Sequence, residues 1–194
     1  MKGIITETTL FNINESTIKE AQKAFVTGQP LIIQGVLQKA DVKNRNGRVY
    51  PKEILERELK SYQRLIDENR ALGELDHPTT PEVNLQNSSH LIKKIWWDGY
   101  DVKGEVEILN TPAGRIAKQL IAARVPLGIS SRGVGSVDAD DLVQEDFQLI
   151  CFDLVSQPST HGAFLHESEN FGTVKEVVDV SEFLEKSANF LNKY

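Results

Sequence analysis

One cysteine, Cys151, stands in the whole chain, inside the apolar run LICFDLV. A lone thiol excludes a disulfide framework, and its surroundings predict a small buried hydrophobe, not a reactive group. Nowhere do about 18 apolar residues run together, so no membrane-spanning helix is expected. The opening stretch MKGIITETTLF lacks the apolar core of a secretory signal, which makes an intracellular setting the expectation. Basic excess is missing too. Against 28 Asp and Glu there are 22 Lys and Arg, a formal net charge of −6, which speaks against nucleic acid as a partner. The chain also has no phosphate-cradling G-x-x-x-x-G-K-[ST], no H-E-x-x-H and no paired cysteines for zinc. The nucleophile elbow G-x-S-x-G is broken, because Gly128-Ile129-Ser130-Ser131-Arg132 puts arginine where the second glycine belongs. ATP hydrolysis, zinc peptidase chemistry and the α/β-hydrolase fold are thereby set aside, and neither a metal nor a cofactor is expected.

What is present suits one domain with a small appendage. Of 194 residues, 40% are hydrophobic and 26% charged, enough to bury a core. Residues 1–14 show no clear period. Ile18, Ala21, Ala24 and Phe25 recur at helical spacing up to Gly28 and Pro30. Residues 31–40 are rich in branched apolar side chains and read as a strand. KNRNGRVYP (43–51) reads as a polar loop docked through Val49 and Tyr50. A helix then runs to about residue 69, with Ile54, Leu55, Leu59, Tyr62, Leu65 and Ile66 on one stripe. ALGEL (71–75) is a short strand leading into a polar, proline-containing loop. HLIKKIWW and DVKGEVEIL pair as a hairpin across Asp98-Gly99-Tyr100, with Trp96 and Trp97 on opposite faces. Thr111 and Pro112 open another helix. Two strands, 127–137 and about 142–156, flank the acidic turn DADD, and Ser181 caps a terminal helix. Strands with helices inserted irregularly between them predict an α+β fold, a mainly antiparallel sheet or barrel. The expected division is an N-terminal segment (1–30), a main domain (31–166), and an acidic linker with a C-terminal helix (167–194).

Chemistry concentrates in three islands. GELDHP presents His77 at a strand end, GISSRGVG presents Ser130 and Ser131 on permissive backbone, and CFDLVS presents Asp153 among apolar residues. A serine needs a base to take its proton, histidine titrates near neutrality, and a third group must hold the ring. These residues supply one of each kind. Each also has a plainer reading: His77 as a capped surface histidine, small serines where another backbone packs, Asp153 as the partner of a structural arginine, since a buried carboxylate needs one. His90, His161 and His166 read as surface or loop histidines. A metal site from Glu74, Asp76 and His77 is disfavoured, because neighbours on a strand alternate faces.

As a set, ADVKNRNGRVYPKEIL, ALGELDHP, IKKIWWDGYDVKGEVEIL and PLGISSRGVGSV, in this order and spacing, resemble the prohead core protease of large tailed bacteriophages, the capsid-maturation serine peptidases related in fold to the herpesvirus maturation protease. The resemblance covers roughly residues 31–165. It implies a herpesvirus-protease-like fold and a serine endopeptidase that cleaves scaffold and capsid proteins, and itself, through an acyl-enzyme. Carried over by position, His77 is the general base and Ser130 the nucleophile. Ser131, Arg132 and Gly133 would build the oxyanion site. Asp153 fits the third place best, with His161 as the alternative. The resemblance further implies scaffold (core) proteins, the major capsid protein and the chain itself as substrates, action inside the prohead in the host cytoplasm, no membrane or nucleic-acid partner, and room for a homo-oligomer. The acidic stretch 167–182 is the expected place of self-cleavage. A head-assembly protein of the same fold that binds scaffold or shell without cutting is the competing reading, and such a protein would not need His77 and Ser130 together.

Overall fold

A computed structural model describes residues 3–10, 13–44, 46–78 and 80–156. The expected 167–194 segment with its helix, His161 and His166 lie outside the described residues. The chain runs β1 (Gly3–Leu10), α1 (Glu15–Thr27), β2 (Leu31–Lys39), α2 (Lys52–Asp67), β3 (Leu72–Glu74), β4 (Ser88–Asp98), β5 (Asp101–Ile108), α3 (Pro112–Ala122), β6 (Gly128–Gly135) and β7 (Gln148–Val155). This is the expected α+β fold, with antiparallel sheets that do not close into a barrel. One sheet has the order β1-β6-β7 and the other β2-β5-β4-β3. A parallel bridge between Leu75 and Leu154 links β3 to β7.

Local signals account for the helices. Asn14 caps α1 by accepting from the Thr17 amide at 2.9 Å, and Gly28 ends it in the left-handed region at φ 71°. Thr111 accepts from the Gly114 amide, with Pro112 in the first turn of α3. The stripe on α2 buries Ile54, Leu55, Leu59 and Tyr62, and Tyr62 meets Phe152 of β7 edge to face at 5.5 Å. β4 and β5 form the expected hairpin, with Gly99 turning at φ 64°. Trp97 packs against the core under the Lys52 ammonium, while Trp96 is turned outward. Tyr50 is wholly buried, as the loop-docking reading requires.

Two strands depart from the sequence reading. Residues 3–10, which show no clear period, form β1 along the full length of β6. A strand of this kind is made by its neighbour, and its branched residues only permit it. β7 begins at Gln148, not near 142. The Asp138 carboxylate accepts from the Asp140 and Leu142 amides, and this holds residues 138–142 in a turn whose exit buries Val143 and Phe147 in irregular backbone.

Gly73 decides how closely the sheets meet. A Cβ there would lie 1.9 Å from the Phe152 carbonyl oxygen and 2.3 Å from His90 Nε2, and the first of these is backbone that cannot yield. Gly73→Ala is therefore expected to destabilise the protein by on the order of 3 kcal/mol, measured as a lowered urea midpoint. Unchanged stability would mean that β3 does not need this approach.

Candidate active site

The register of two strands builds half of the site. Ser130 on β6 lies opposite Asp153 on β7, and Arg132 opposite Cys151. In an antiparallel pair, opposed residues project to the same face, and so do residues two apart. Ser130, Arg132, Cys151 and Asp153 thus share one face, while Ser131 and Phe152 take the other.

The third island arrives from the other sheet. β3 stops at Glu74, Leu75 bridges to Leu154, and the Asp76 amide donates to the Leu154 carbonyl at 2.7 Å. Asp76 then takes a left-handed conformation, φ 70°, which aspartate tolerates better than most residues. That reversal sets His77 over β7. Its Nε2 lies 2.6 Å from Ser130 Oγ and its Nδ1 2.9 Å from Asp153 Oδ2. A carboxylate only accepts, so Nδ1 carries the ring proton and donates it, leaving Nε2 to accept from the serine hydroxyl. Ser130 is wholly buried, whereas the His77 side chain is 26% exposed. Solvent meets the group on the imidazole side.

Asp153 is buried completely and satisfied on both oxygens. Oδ1 accepts from the Glu74 amide at 3.1 Å and Arg132 Nη2 at 3.2 Å; Oδ2 accepts from His77 and from Arg132 Nε at 2.8 Å. Burial alone would raise its pKa, but the N–H groups of His77, Arg132 and Glu74 outweigh it and hold the carboxyl below its usual range. The same burial, with the Asp153 charge adding to it, pushes the Cys151 thiol well up, so this cysteine is the inert, buried one expected.

Arg132, expected at the oxyanion site, turns into the protein interior. Its side chain is fully buried. Nε and Nη2 fork Asp153, Nη2 also reaches Glu74 Oε1 at 2.9 Å, and Nη1 donates to the carbonyls of Thr80, Pro81 and Glu82 at 2.7, 3.0 and 3.3 Å. All three nitrogens of this guanidinium are thus committed to two carboxylates and three backbone carbonyls, and β6, which carries residues 131–133, is the middle strand with β1 and β7 along its two edges. Ser131 Oγ is buried on the opposite face with no hydrogen-bond partner among the described residues. Gly133 is a packing glycine: a Cβ there would lie 2.4 Å from the Phe147 ring.

The structure also moves His90 from the surface to the interior. The first five residues of β4 are all buried. His90 Nε2 donates to the Phe152 carbonyl at 2.9 Å, and Nδ1 accepts from Ser89 Oγ at 2.8 Å. Burial pushes its pKa down to about 4, so the ring stays neutral. Sequence reasoning missed Glu74 in this setting. The residue is wholly buried, and its Oε1 accepts from Arg132 and from the Asn84 amide at 3.0 Å. The signal available was an acidic residue flanked by Gly73 and Leu75 in an otherwise apolar strand. Among the described residues no group of three or more His, Cys, Asp or Glu side chains is arranged to hold a metal ion. No helix among them is long and apolar enough to cross a membrane.

A model of the family described as prohead core protein serine protease matches residues 4–174. The prohead core protein protease of Enterobacteria phage T4 is 36% identical over 148 residues, which span 72% of this chain and 69% of that protein. In three dimensions the chain is similar to the solved structure of the bacteriophage T4 capsid assembly protease. The TM-score is 0.66 at 29% sequence identity, covering 81% of this chain and 99% of that one.

Proposed function

The chain belongs to the prohead core serine protease family and is a capsid-maturation protease, and we propose that His77, Ser130 and Asp153 carry its chemistry. The observation that supports this reading is the unbroken line Asp153 Oδ2, His77 Nδ1, His77 Nε2, Ser130 Oγ, with gaps of 2.9 and 2.6 Å. His77 Nε2 takes the Ser130 proton as Oγ attacks the scissile carbonyl. The imidazolium gives that proton to the leaving amine, and an acyl-enzyme forms. Water, with His77 again as base, then releases the acyl group. Asp153 fixes the tautomer that leaves Nε2 free to accept, and its negative charge stabilises the imidazolium.

In this reading the substrates are scaffold (core) proteins, the major capsid protein and the chain itself, cut inside the prohead in the host cytoplasm. Residues 31–166 then form the protease domain, 1–30 an N-terminal segment that supplies β1, and 167–194 an acidic linker and C-terminal helix, with self-processing in the acidic stretch 167–182. The test is activity-based. A fluorophosphonate should add once per chain to wild type, with peptide mapping placing the adduct on Ser130, and His77→Gln should react at least about a hundredfold more slowly, the loss of a general base. An unmodified wild type, or an adduct on another residue, would overturn the assignment.

A further inference from the structure

The triad sits on a buried charge cluster that acyl transfer by three residues does not require. Two carboxylates, Asp153 and Glu74, share one guanidinium, Arg132, and none of the three side chains has more than 1% of its surface exposed. We propose that Arg132 and Glu74 are positioning residues for this reaction, Arg132 by clamping the Asp153 carboxylate and the strap that carries His77, Glu74 by keeping the cluster net negative against the His77 imidazolium. The inference rests on His77 being the general base.

The clamp is geometric. Asp153 can rotate about its last torsion unless both oxygens are held, and the Arg132 fork holds both, at 2.8 and 3.2 Å. The third arm of the same guanidinium takes the carbonyls of Thr80, Pro81 and Glu82. The Glu74 and Asp76 amides tie the strap to Asp153 and Leu154 ahead of His77. One side chain therefore orients both the acid and the far end of the backbone that bears the base.

The charge count explains Glu74. A carboxylate neutralised by an arginine would stabilise an imidazolium poorly, because the cation beside it opposes the new one. Glu74 draws Arg132 Nη2 to itself at 2.9 Å, and with it the cluster carries one net negative charge, the complement of the proton that His77 gains in the transition state. The other titratable groups around His77 do not alter this count. Cys151 of β7 and Tyr62 of α2 are held protonated by burial and His90 of β4 is held neutral, while Asp76 on the strap faces solvent. A cluster serving stability alone would not set the pH at which the base works, and this distinguishes the two roles.

The experiment follows the second-order rate of fluorophosphonate addition to Ser130 against pH, with adduct mapping in every variant. Glu74→Gln keeps an acceptor for Arg132 and the Asn84 amide but removes the charge. Its plateau rate should fall roughly tenfold, and its acidic limb should move to lower pH by about half a unit or more, since an imidazolium forms less readily beside a neutral cluster. Glu74→Asp, which restores the charge, should return the limb to the wild-type position. Arg132→Lys keeps the charge without the fork, so its limb should stay while its rate falls at least about tenfold. A Glu74→Gln limb that does not move, a Glu74→Asp limb that moves as far, or a wild-type rate in Arg132→Lys overturns the inference. The lysine variant decides the clamp even where the glutamine variant yields no folded protein. Wild-type protein that fails to label at Ser130 overturns instead the base–nucleophile reading beneath it.

Discussion

Ser130→Ala should lower proteolysis by about four orders of magnitude or more and leave the fold intact. The size follows from the proposed role. Without Oγ no acyl-enzyme forms, and whatever the remaining residues contribute through binding cannot replace the bond. The small structural effect follows from the contacts. Among the described residues Ser130 Oγ hydrogen-bonds only to His77 Nε2, whose ring is partly open to water, so the lost bond costs about 1 kcal/mol at most. Intact masses of purified wild type and variant, with scaffold protein added to each, provide the measurement. Wild type should show shortened scaffold and, in time, a shortened chain, whereas the variant keeps its full length. Identical termini in both, with scaffold uncut by either, would remove the enzymatic account of this site.

Asp153→Asn should damage activity and stability together. Both carboxylate oxygens accept from two nitrogen donors, His77 and Arg132 on one side and Glu74 and Arg132 on the other. Whichever way an asparagine is turned, its amide hydrogens face two of those donors. If they face His77 Nδ1, the ring is driven to the wrong tautomer, and in Ser-His-Asp proteases generally that change costs about 10⁴ in turnover. In either orientation the buried guanidinium keeps Glu74 as its one carboxylate partner. Removing one charge of a buried group of this kind destabilises by about 3–5 kcal/mol.

The pH dependence has a definite sign. The folded protein holds the Asp153 carboxyl below its usual range, so its stabilising contribution is complete above that range and is lost as pH falls through the folded value. Wild type should therefore lose stability on acidification below the usual carboxylate range, while the variant, already lacking this component, starts lower at neutral pH and declines less. Urea midpoints of the two proteins from neutral pH downward measure the difference. Parallel curves would show that Asp153 is not the group whose protonation costs this stability.

The helices and the main hairpin could be read from the sequence because their signals are local: the α2 stripe, the Thr111-Pro112 start, the Gly28 stop, the Gly99 turn. β1 could not, since its strand conformation comes from lying along β6, more than a hundred positions away. The sequence starts β7 too early for a related reason. Val143 looks like strand when only its hydrophobicity is read, and the turn built by Asp138 becomes visible only once its hydrogen bonds are known. Its residue type points His90 to the surface, yet the sheet buries it.

The order of residues already shows which chemical groups are on offer: an imidazole after a short strand, a serine on permissive backbone, a carboxylate among apolar residues that has to find a partner. It also determined the α+β class and the order of the blocks that mark the family. Folding in three dimensions set Ser130 opposite Asp153, carried His77 over both after the Asp76 reversal, and turned Arg132 to Asp153 and Glu74. The reason is physical. Helix caps and stripes are written within a few residues, whereas strand register and the pairing of buried charges depend on which distant segments share one dry interior, and there a guanidinium goes to the nearest unpaired carboxylates.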